Sequence, residues 1–312
     1  MINYLLEKKI LPDWLVRAGI RRLLAQRLKS EESRKSRFEN WLAALEASGT
    51  AADAGAKRRD LPALFFQLIL GRHMSESSGY WFESTQSLAD AEEAMLRIIG
   101  QRANIASGQR ILELGTGWGS FSLWAAENFP KSRIVGLADS RTQKDFIDSQ
   151  ILARGLKNLT ILISGLHSFD TTETFDRVVS IGMFERMRNW ETLLKKIALW
   201  LEPHGYFFMQ IVSHREYAYS FEDPGRGGWM AQELFPGGFM PSDRMIYHFQ
   251  RDLKLVQHWF VPGTHYAQTA EAWLKNLDLH QEEILAIFGQ AYGPGRARKW
   301  LARWRTFLMS CA

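Results

Sequence analysis

The sequence has 312 residues, of which 46% are hydrophobic and 23% are charged, values that are ordinary for a globular protein. Its single cysteine, Cys311, excludes an intrachain disulfide and a zinc cluster built from thiolates, so we expect no metal site and a reducing, cytoplasmic location. No apolar run approaches the roughly 18 residues of a membrane span, and we recognise no secretory signal.

The formal net charge of +5 is carried by residues 1–60, which contain 13 basic and 8 acidic residues. Apolar periodicity predicts a helix over residues 13–29, with one apolar stripe flanked by four arginines. Such a helix either lies on an anionic membrane surface or packs its apolar face on the rest of the protein. Nucleic-acid binding is not expected, because the basic residues are not interleaved with aromatic ones.

The rest of the first third is predicted to be mainly helical. Residues 1–48 have helical patterns, residues 48–55 are small and typical of a linker, and helices are predicted over residues 61–70 and 88–99. Between these two helices, residues 71–86 are irregular and rich in serine and aromatic residues.

A glycine turn follows, and the chain is organised around it. Residues 110–114 form a short apolar run typical of a buried strand, and Ser120 opens a helical pattern. Between them lie Gly115, Gly117 and Gly119, which allow positive φ and close approach to a ligand. Strand, glycine turn and helix is how open α/β sheets bind nucleotides, although a tight turn without a ligand has the same pattern. Glu113, inside the apolar strand, either holds the turn or meets a ligand cation.

Strands and helices then alternate regularly. Strands are predicted at residues 133–137, 159–163, 175–181 and 206–212, and helices at 142–154 and 191–200, which indicates a parallel sheet covered on both faces. The region after residue 212 is rich in Gly, Pro and aromatic residues. There we expect a lid, a sixth strand at 253–260 and helices at 269–277, 282–289 and 295–309.

Several blocks of the sequence together resemble one family. They are Ile134 to Ile147, Val179 to Glu185, Met240 to Asp243, His258-Trp259, His265-Tyr266-Ala267, Glu271 to Lys275 and Trp304 to Phe307. That family is the S-adenosyl-L-methionine (SAM)-dependent methyltransferases of the cyclopropane fatty-acyl-phospholipid synthase type, and the blocks after residue 240 are most similar to its coclaurine N-methyltransferase-like branch. The resemblance implies a Rossmann-like SAM methyltransferase fold, α/β with a mostly parallel sheet.

The resemblance also divides the chain. It implies a basic helical extension over residues 1–60, a SAM-binding core over residues 61–212, and a lid with C-terminal helices over residues 213–312. The resemblance also implies a final strand, inserted between the fifth and sixth strands, which is missing here unless it comes from elsewhere or the sequence is a fragment.

The resemblance assigns roles to individual residues. Gly115 and Gly117 would admit the methionine part of SAM, and Asp139 and Gln143 would lie near the ribose. Leu166 would flank the adenine, Ser77 would contact the amino-acid end of the cofactor, and Glu185 would be the active-site carboxylate, whose alternative role is to cap the next helix. Glu185 is expected to orient an amine acceptor and take its proton.

The sequence departs from the family at several of these positions. Arg186 replaces a histidine beside Glu185, Gln210 replaces another in the fifth strand, and Gly165 replaces the acidic residue that reads the adenine. Further departures lie at residues that the resemblance expects to hold a bicarbonate, and they argue against family-type cyclopropanation; they are Ser78 and Thr306 or Phe307.

Two functions follow from this pattern. One is a SAM-dependent methyltransferase that acts on a small amine or an unsaturated lipid-like acceptor, beneath a lid whose aromatic residues either bind the acceptor or simply fill the core. The other is a degenerate family member that binds SAM or a lipid as a partner protein. Oligomerisation is possible under both.

Overall fold

The computed structural model describes residues 11–33, 42, 61–166, 168–221, 229–235 and 237–312. The linker predicted at residues 48–55 and most of the helices predicted over residues 1–48 lie outside these ranges. Within them, no helix is both long and apolar enough to cross a membrane. The chain forms two compact units, one comprising Glu31–Arg58 and Leu96–Phe260, the other Met1–Ser30, Arg59–Met95 and Val261–Ala312. The functional division at residues 60 and 212 stays a prediction.

The first of these units contains a five-stranded parallel sheet in the order β3-β2-β1-β4-β5. Its central strands are buried because their side chains are apolar on both faces: Ile111, Leu112 and Leu114 of β1 are inaccessible to solvent. The elements are α3 (Leu88–Arg102, shared with the second unit), β1 (Arg110–Leu114), α4 (Ser120–Asn128), β2 (Arg133–Ala138), α5 (Arg141–Ala153), β3 (Leu159–Ile163), β4 (Phe175–Ile181), α6 (Trp190–Trp200) and β5 (Leu201–Gln210).

The predicted α/β architecture is therefore confirmed, and the bounds of β1, β3 and β4 agree with the prediction. The start of β5 was predicted five residues too late. Pro203 and Gly205 end helical structure, but they do not prevent an edge strand, which pairs from Leu201 onward with an irregularity opposite residues 175–177.

The predicted sixth strand at residues 253–260 is wrong. Residues 254–260 form no strand, and β5 is the last strand at its edge of the sheet. Val256 and Phe260 are about two-thirds exposed. An alternating apolar pattern makes a strand only where a neighbouring strand supplies the ladder hydrogen bonds, and residues 254–260 are in no ladder.

The rest of this unit has little regular structure, as the glycine and proline content predicts. A two-stranded antiparallel ribbon joins β6 (Tyr219–Ser220) to β7 (Phe239–Met240), and a short helix α7 (Trp229–Glu233) lies between them in the chain. Phe239 of β7 is buried and packs near Trp190 of α6, with 6.1 Å between ring centroids. This contact ties the region after residue 212 to the helices that cover the sheet.

The second unit is helical. It contains most of α1 (Asp13–Glu32), α2 (Ala63–Ile69), the start of α3, α8 (Gly263–Leu279), α9 (Gln281–Tyr292) and α10 (Ala297–Cys311). Its core is aromatic: the ring of Phe65 lies 5.1 Å from that of Phe288 and 4.8 Å from that of Trp304. The three helices predicted near the C-terminus are confirmed: α8 and α9 are longer than predicted, and α10 has the predicted length but begins and ends two residues later.

Helix α1 is attached to this unit by ion pairs as well as by apolar packing. Arg305 of α10 binds Asp13 at 3.0 Å and Asp278 at 2.6 Å, and Arg17 binds Glu271 of α8 at 2.5 Å. Arginine–carboxylate pairs of this kind fix orientation through two parallel hydrogen bonds. The apolar stripe predicted on α1 is only partly covered, because Val16 is buried whereas Leu23, Leu24 and Leu28 are exposed.

Candidate functional site

The glycine turn lies at the carboxyl end of β1. Gly115, Gly117 and Gly119 have φ of 77°, 52° and 83°, so all three use the left-handed region that favours glycine. A Cβ on Gly115 would lie 3.3 Å from the Sδ of Met183, and one on Gly119 only 2.9 Å from Ile147. The positive φ predicted from the glycine spacing is confirmed, and the turn is also tightly packed at Gly115 and Gly119.

Glu113 is buried in β1, with 2% of its surface exposed. The hydroxyl of Ser122, in the first turn of α4, donates a hydrogen bond to its carboxylate. Burial raises the pKa of Glu113 to about 7, against the lowering effect of Ser122. The contact joins the strand before the glycine turn to the helix after it, and favours the prediction that Glu113 holds the turn over the one that it meets a ligand cation.

The end of β2 carries the next two predicted residues. Asp139 is exposed directly after the strand, and Ser140 caps α5, where its side-chain oxygen accepts a hydrogen bond from the Gln143 amide at 3.2 Å. Gln143 is half-buried in the first helical turn. The cap holds Gln143 at the same edge of the sheet as the glycine turn, because the carboxyl ends of parallel strands share one edge.

The loop after β3 satisfies much of its own hydrogen bonding. The carbonyl of Gly165 accepts bonds from the amides of Ser168 and Phe169 at 3.1 and 2.9 Å, and from the Ser168 hydroxyl at 2.9 Å. Leu166 is buried, with 2% exposure, and belongs to the main apolar cluster of this unit. Leu166, the residue predicted to flank an adenine, therefore packs in the apolar cluster beside these hydrogen bonds.

Glu185 lies just past β4, in the single 3₁₀ turn Phe184–Arg186. Its Oε1 accepts a hydrogen bond from the Val212 amide at 2.7 Å. Its Oε2 is buried and has no hydrogen-bond partner among the described residues. Burial raises the pKa of Glu185, opposed by the Val212 bond and by the charge of the neighbouring Arg186.

The other two residues predicted around the reaction centre are near Glu185. Arg186 follows it directly, half-buried, and Gln210 ends β5 two residues before Val212. The carbonyl of Gln210 accepts a hydrogen bond from the Gly182 amide at 2.9 Å. The structure thus brings Glu185 and Gln210 to the adjacent ends of β4 and β5.

Ser77 is the one predicted site residue in the helical unit. It is half-buried in the irregular segment 71–81, where its amide donates to the Ser75 hydroxyl at 3.3 Å. Its predicted contact with the cofactor stays a prediction.

Sequence reasoning missed three hydroxyl groups near the glycine turn. Thr116 and Ser120 belong to the turn and its helix, and Ser180 of β4 pairs in register with Leu114 of β1. The side-chain oxygens of all three are buried without a hydrogen-bond partner among the described residues. The signal available in the sequence was a hydroxyl residue inside a glycine turn or at the end of an apolar strand.

Whether the site fits a cofactor such as SAM can be judged from the hydrogen bonding of these three oxygens. Like Glu185 Oε2, they are buried polar atoms near the ends of two adjacent strands, and none of the four has a hydrogen-bond partner in the part of the chain that the structure describes. A buried polar group without a hydrogen bond costs about 1–3 kcal/mol, so a ligand with matching polar groups would relieve that cost. Beside them, Gly115 and Gly117 of the turn are partly exposed, and the residues present therefore fit a cofactor with polar groups, such as SAM.

Comparison with known proteins also indicates a SAM-dependent methyltransferase. A family model described as mycolic acid cyclopropane synthetase matches residues 47–312. The chain is 32% identical to (S)-coclaurine N-methyltransferase of Papaver somniferum, over 97% of its own length and 90% of the relative's. It is 29% identical to the cyclopropane-fatty-acyl-phospholipid synthase of Escherichia coli (strain K12), over 80% of its own length and 62% of the relative's.

A solved structure is also very similar. It is a crystal structure of coclaurine N-methyltransferase bound to N-methylheliamine and SAH, which superposes with a TM-score of 0.94 at 30% identity. The match covers 99% of this chain and 92% of the other.

Proposed function

The chain belongs to the mycolic acid cyclopropane synthetase family, and from that premise we propose that it methylates the nitrogen of a small amine. It is a SAM-dependent methyltransferase. The family includes enzymes named for transfer to nitrogen and enzymes named for lipid cyclopropanation. The observation that carries the choice of an amine is Glu185, whose Oε2 is buried and has no hydrogen-bond partner among the described residues.

Glu185 is suited to both tasks that an amine acceptor requires. Bound SAM supplies an electrophilic methyl group on a sulfonium. Oε1 is fixed by the Val212 amide, which leaves Oε2 to accept a hydrogen bond from the acceptor N–H and orient the nitrogen. Because burial raises the pKa of Glu185, its carboxylate is also a better base than an exposed one, and Oε2 takes the proton that leaves the nitrogen.

The departures from the family pattern fit the assignment of both tasks to Glu185. Arg186 stands where the resemblance expects a histidine, and its guanidinium stays protonated, so it cannot accept a proton. The side chain of Gln210 is a neutral amide in place of a second histidine. Glu185 is therefore the proton acceptor among these three residues. An amine substrate attacks the methyl group with its own nitrogen lone pair, so it needs less assistance from side chains than an alkene does.

We assign the cofactor residues as the resemblance implies. Gly115 and Gly117 admit the methionine part, while Asp139 and Gln143 approach the ribose from the end of β2. Leu166 contributes an apolar surface for the adenine, and Glu113 holds the turn through Ser122. Ser77 is proposed to meet the amino-acid end of SAM.

Calorimetric titration with SAM, followed by methyl-transfer assays, tests the proposal. We expect binding, and transfer of a labelled methyl group to members of a panel of secondary amines but not to vesicles of unsaturated phospholipid. Transfer to the lipid alone would overturn the amine assignment. SAM binding without transfer to any acceptor would favour the alternative of a degenerate, SAM-binding partner protein.

The substitution Glu185→Gln isolates the carboxylate. The amide keeps the shape and a hydrogen-bonding group but is not a base, so we expect kcat to fall by about 10³-fold while the SAM dissociation constant stays near that of the wild type. Glu127→Gln is the matched control, because Glu127 is a carboxylate of α4 paired with Arg154. Unchanged turnover in Glu185→Gln would remove Glu185 from the mechanism.

We also infer that α1 contacts anionic membrane surfaces. Trp14, Arg21, Leu24 and Leu28 follow one another at helical spacing along one side of the helix and are all exposed. Such a mixture of aromatic, basic and apolar side chains suits a lipid interface. Peripheral contact of this kind agrees with the cytoplasmic location predicted from the single cysteine.

Vesicle co-sedimentation tests the inference about α1. We expect the protein to bind vesicles that contain phosphatidylserine more strongly than neutral ones, and Leu24→Gln with Leu28→Gln to abolish the difference. Equal binding to both kinds of vesicle would end the membrane proposal. Concentration-dependent dimerisation that the same double substitution removes would assign this face to a second copy of the chain.

A further inference from the structure

A buried carboxylate in the helical unit holds the irregular segment before α3. Glu92 of α3 is 1% exposed. It accepts hydrogen bonds from three backbone amides of one short stretch, those of Gly71, His73 and Ser75, at 3.1, 2.8 and 3.3 Å. Three amides directed at one carboxylate form an anion-binding arrangement like that of a helix N-terminus or a backbone nest.

The backbone around residues 71–75 fits closely against the Glu92 carboxylate. A Cβ on Gly71 would lie 2.4 Å from the Oε2 of Glu92, so only glycine fits there without movement of the carboxylate. Met74 has a φ of 56°, a conformation that residues other than glycine adopt rarely and that persists only when the surroundings enforce it. Beside this contact, the imidazole of His73 lies 3.1 Å from the neighbouring carboxylate of Glu93.

The other end of the segment is held by α8. The hydroxyl of Thr269 accepts hydrogen bonds from the Gly79 amide at 3.0 Å and from the Trp81 indole at 2.9 Å. The Nδ1 of His265 accepts one from the Trp81 amide at 3.0 Å. Ser77 therefore lies between two groups of contacts, Glu92 on one side and Thr269 with His265 on the other.

We propose that Glu92 is a positioning residue for the cofactor: by binding the amides of residues 71, 73 and 75, it holds Ser77 in the conformation that receives the amino-acid end of SAM. The inference rests on the proposed function, because only that proposal assigns Ser77 to the cofactor. Glu92 acts through the segment and does not touch SAM itself.

The physical reason is preorganisation. Without the carboxylate, three amides of the segment lose their acceptor and the segment has several conformations of similar energy, so SAM must then order it on binding. The ordering cost appears in the affinity for SAM. It does not appear in the chemical step, because the bound complex has the same reacting groups.

Two substitutions change this contact from opposite sides. Glu92→Gln replaces one acceptor oxygen by a donor NH₂ group, which faces an amide instead of accepting from it. Gly71→Ala leaves the carboxylate intact but places a methyl group where its Oε2 lies. Gly289→Ala is the matched control, since Gly289 is in α9 of the same unit and a Cβ there meets nothing within 4 Å.

The experiment measures SAM affinity by calorimetry and kcat at saturating SAM, at about pH 8, together with hydrogen exchange of the segment's amides. We expect Glu92→Gln and Gly71→Ala to weaken SAM binding by about tenfold, with kcat and the acceptor KM unchanged and faster exchange at residues 71–75. A loss of about one hydrogen bond to a charged group corresponds to that factor. Gly289→Ala should behave as the wild type in all four measurements.

Two outcomes would overturn the inference. One is SAM affinity within twofold of the wild type in both folded variants, which would make Glu92 a purely structural residue. The other is a fall of kcat with unchanged affinity. Failure of the wild type itself to bind SAM would instead refute the proposed function, so the two failures are distinguishable.

Discussion

The loops that follow β1 and β3 end at the same edge of one sheet, but they use their polar groups differently. After β1, the side-chain oxygens of Thr116 and Ser120 are buried without partners among the described residues. After β3, the carbonyl of Gly165 already accepts bonds from Ser168 and Phe169. The first loop therefore leaves buried hydroxyl groups available to a ligand, whereas the Gly165 carbonyl in the second loop is already hydrogen-bonded within the loop.

This difference between the two loops predicts which contacts supply the binding energy for SAM. Unsatisfied buried groups gain their full hydrogen-bond energy when a ligand arrives, whereas satisfied ones must first exchange a partner. We therefore expect the methionine side of SAM to be bound through polar contacts near β1 and β4. The adenine side should be bound mainly by apolar contact with residues such as Leu166.

Gly115→Ala should have the largest effect on this balance. At φ of 77° a Cβ is strained, and it would also press on Met183, so the turn must shift from the position that admits the cofactor. We expect SAM affinity to fall by about 50-fold, measured by calorimetry, which corresponds to about 2 kcal/mol.

Gly155→Ala provides the control for backbone strain alone. Its φ of 64° is similar, but a Cβ there meets nothing within 4 Å. It should cost about 1 kcal/mol of stability without altering SAM affinity. Equal affinity losses in the two variants would mean that strain, and not the site, explains the effect.

Glu113→Gln should change how stability depends on pH. Burial raises the pKa of Glu113 to about 7 in the folded protein, from an ordinary value of 4.5. The folded state thus binds the proton more tightly, so the stability contributed by protonation is present below pH 4.5 and is lost as the pH rises through about 7.

Glutamine does not titrate there, yet its oxygen still accepts from Ser122. The free energy of unfolding of the wild type, relative to Glu113→Gln, should therefore fall between about pH 4.5 and 7.5 by on the order of 3 kcal/mol. Urea titrations across this range measure it. A difference that does not vary with pH would show that Glu113 keeps its ordinary pKa.

Gly165→Asp should have the smallest effect, and it tests directly whether the loop after β3 contacts the adenine. It restores the acidic acceptor that the family resemblance expects for the adenine amino group, beside a turn that is already closed. We expect SAM to bind about threefold more tightly, with Gly165→Ala as the control for the added Cβ. No gain in Gly165→Asp would mean that the closed turn after β3 holds this position away from the adenine.

The predictive power of the sequence differed between two regions of the unit that contains the sheet. Residues 110–181 were predicted closely because each strand is a short apolar run bounded by turn residues, which is local information. The predicted strand at residues 253–260 was wrong for the opposite reason. Its apolar pattern is local, but a strand depends on a pairing partner, and these residues are paired in no sheet.

The α/β class, the glycine turn and the resemblance that led to SAM could all be predicted from the sequence. These depend on residue type and spacing, since only glycine takes positive φ freely and only apolar runs form buried strands. Which buried polar groups have hydrogen-bond partners among the described residues, and which have none, depends on the tertiary structure. Among the described residues, Glu185 has one bound and one unpartnered oxygen, and Glu92 accepts from three amides. These contacts join chain segments that are 17 to 27 residues apart in sequence. Their approach is set by packing, which no local pattern records.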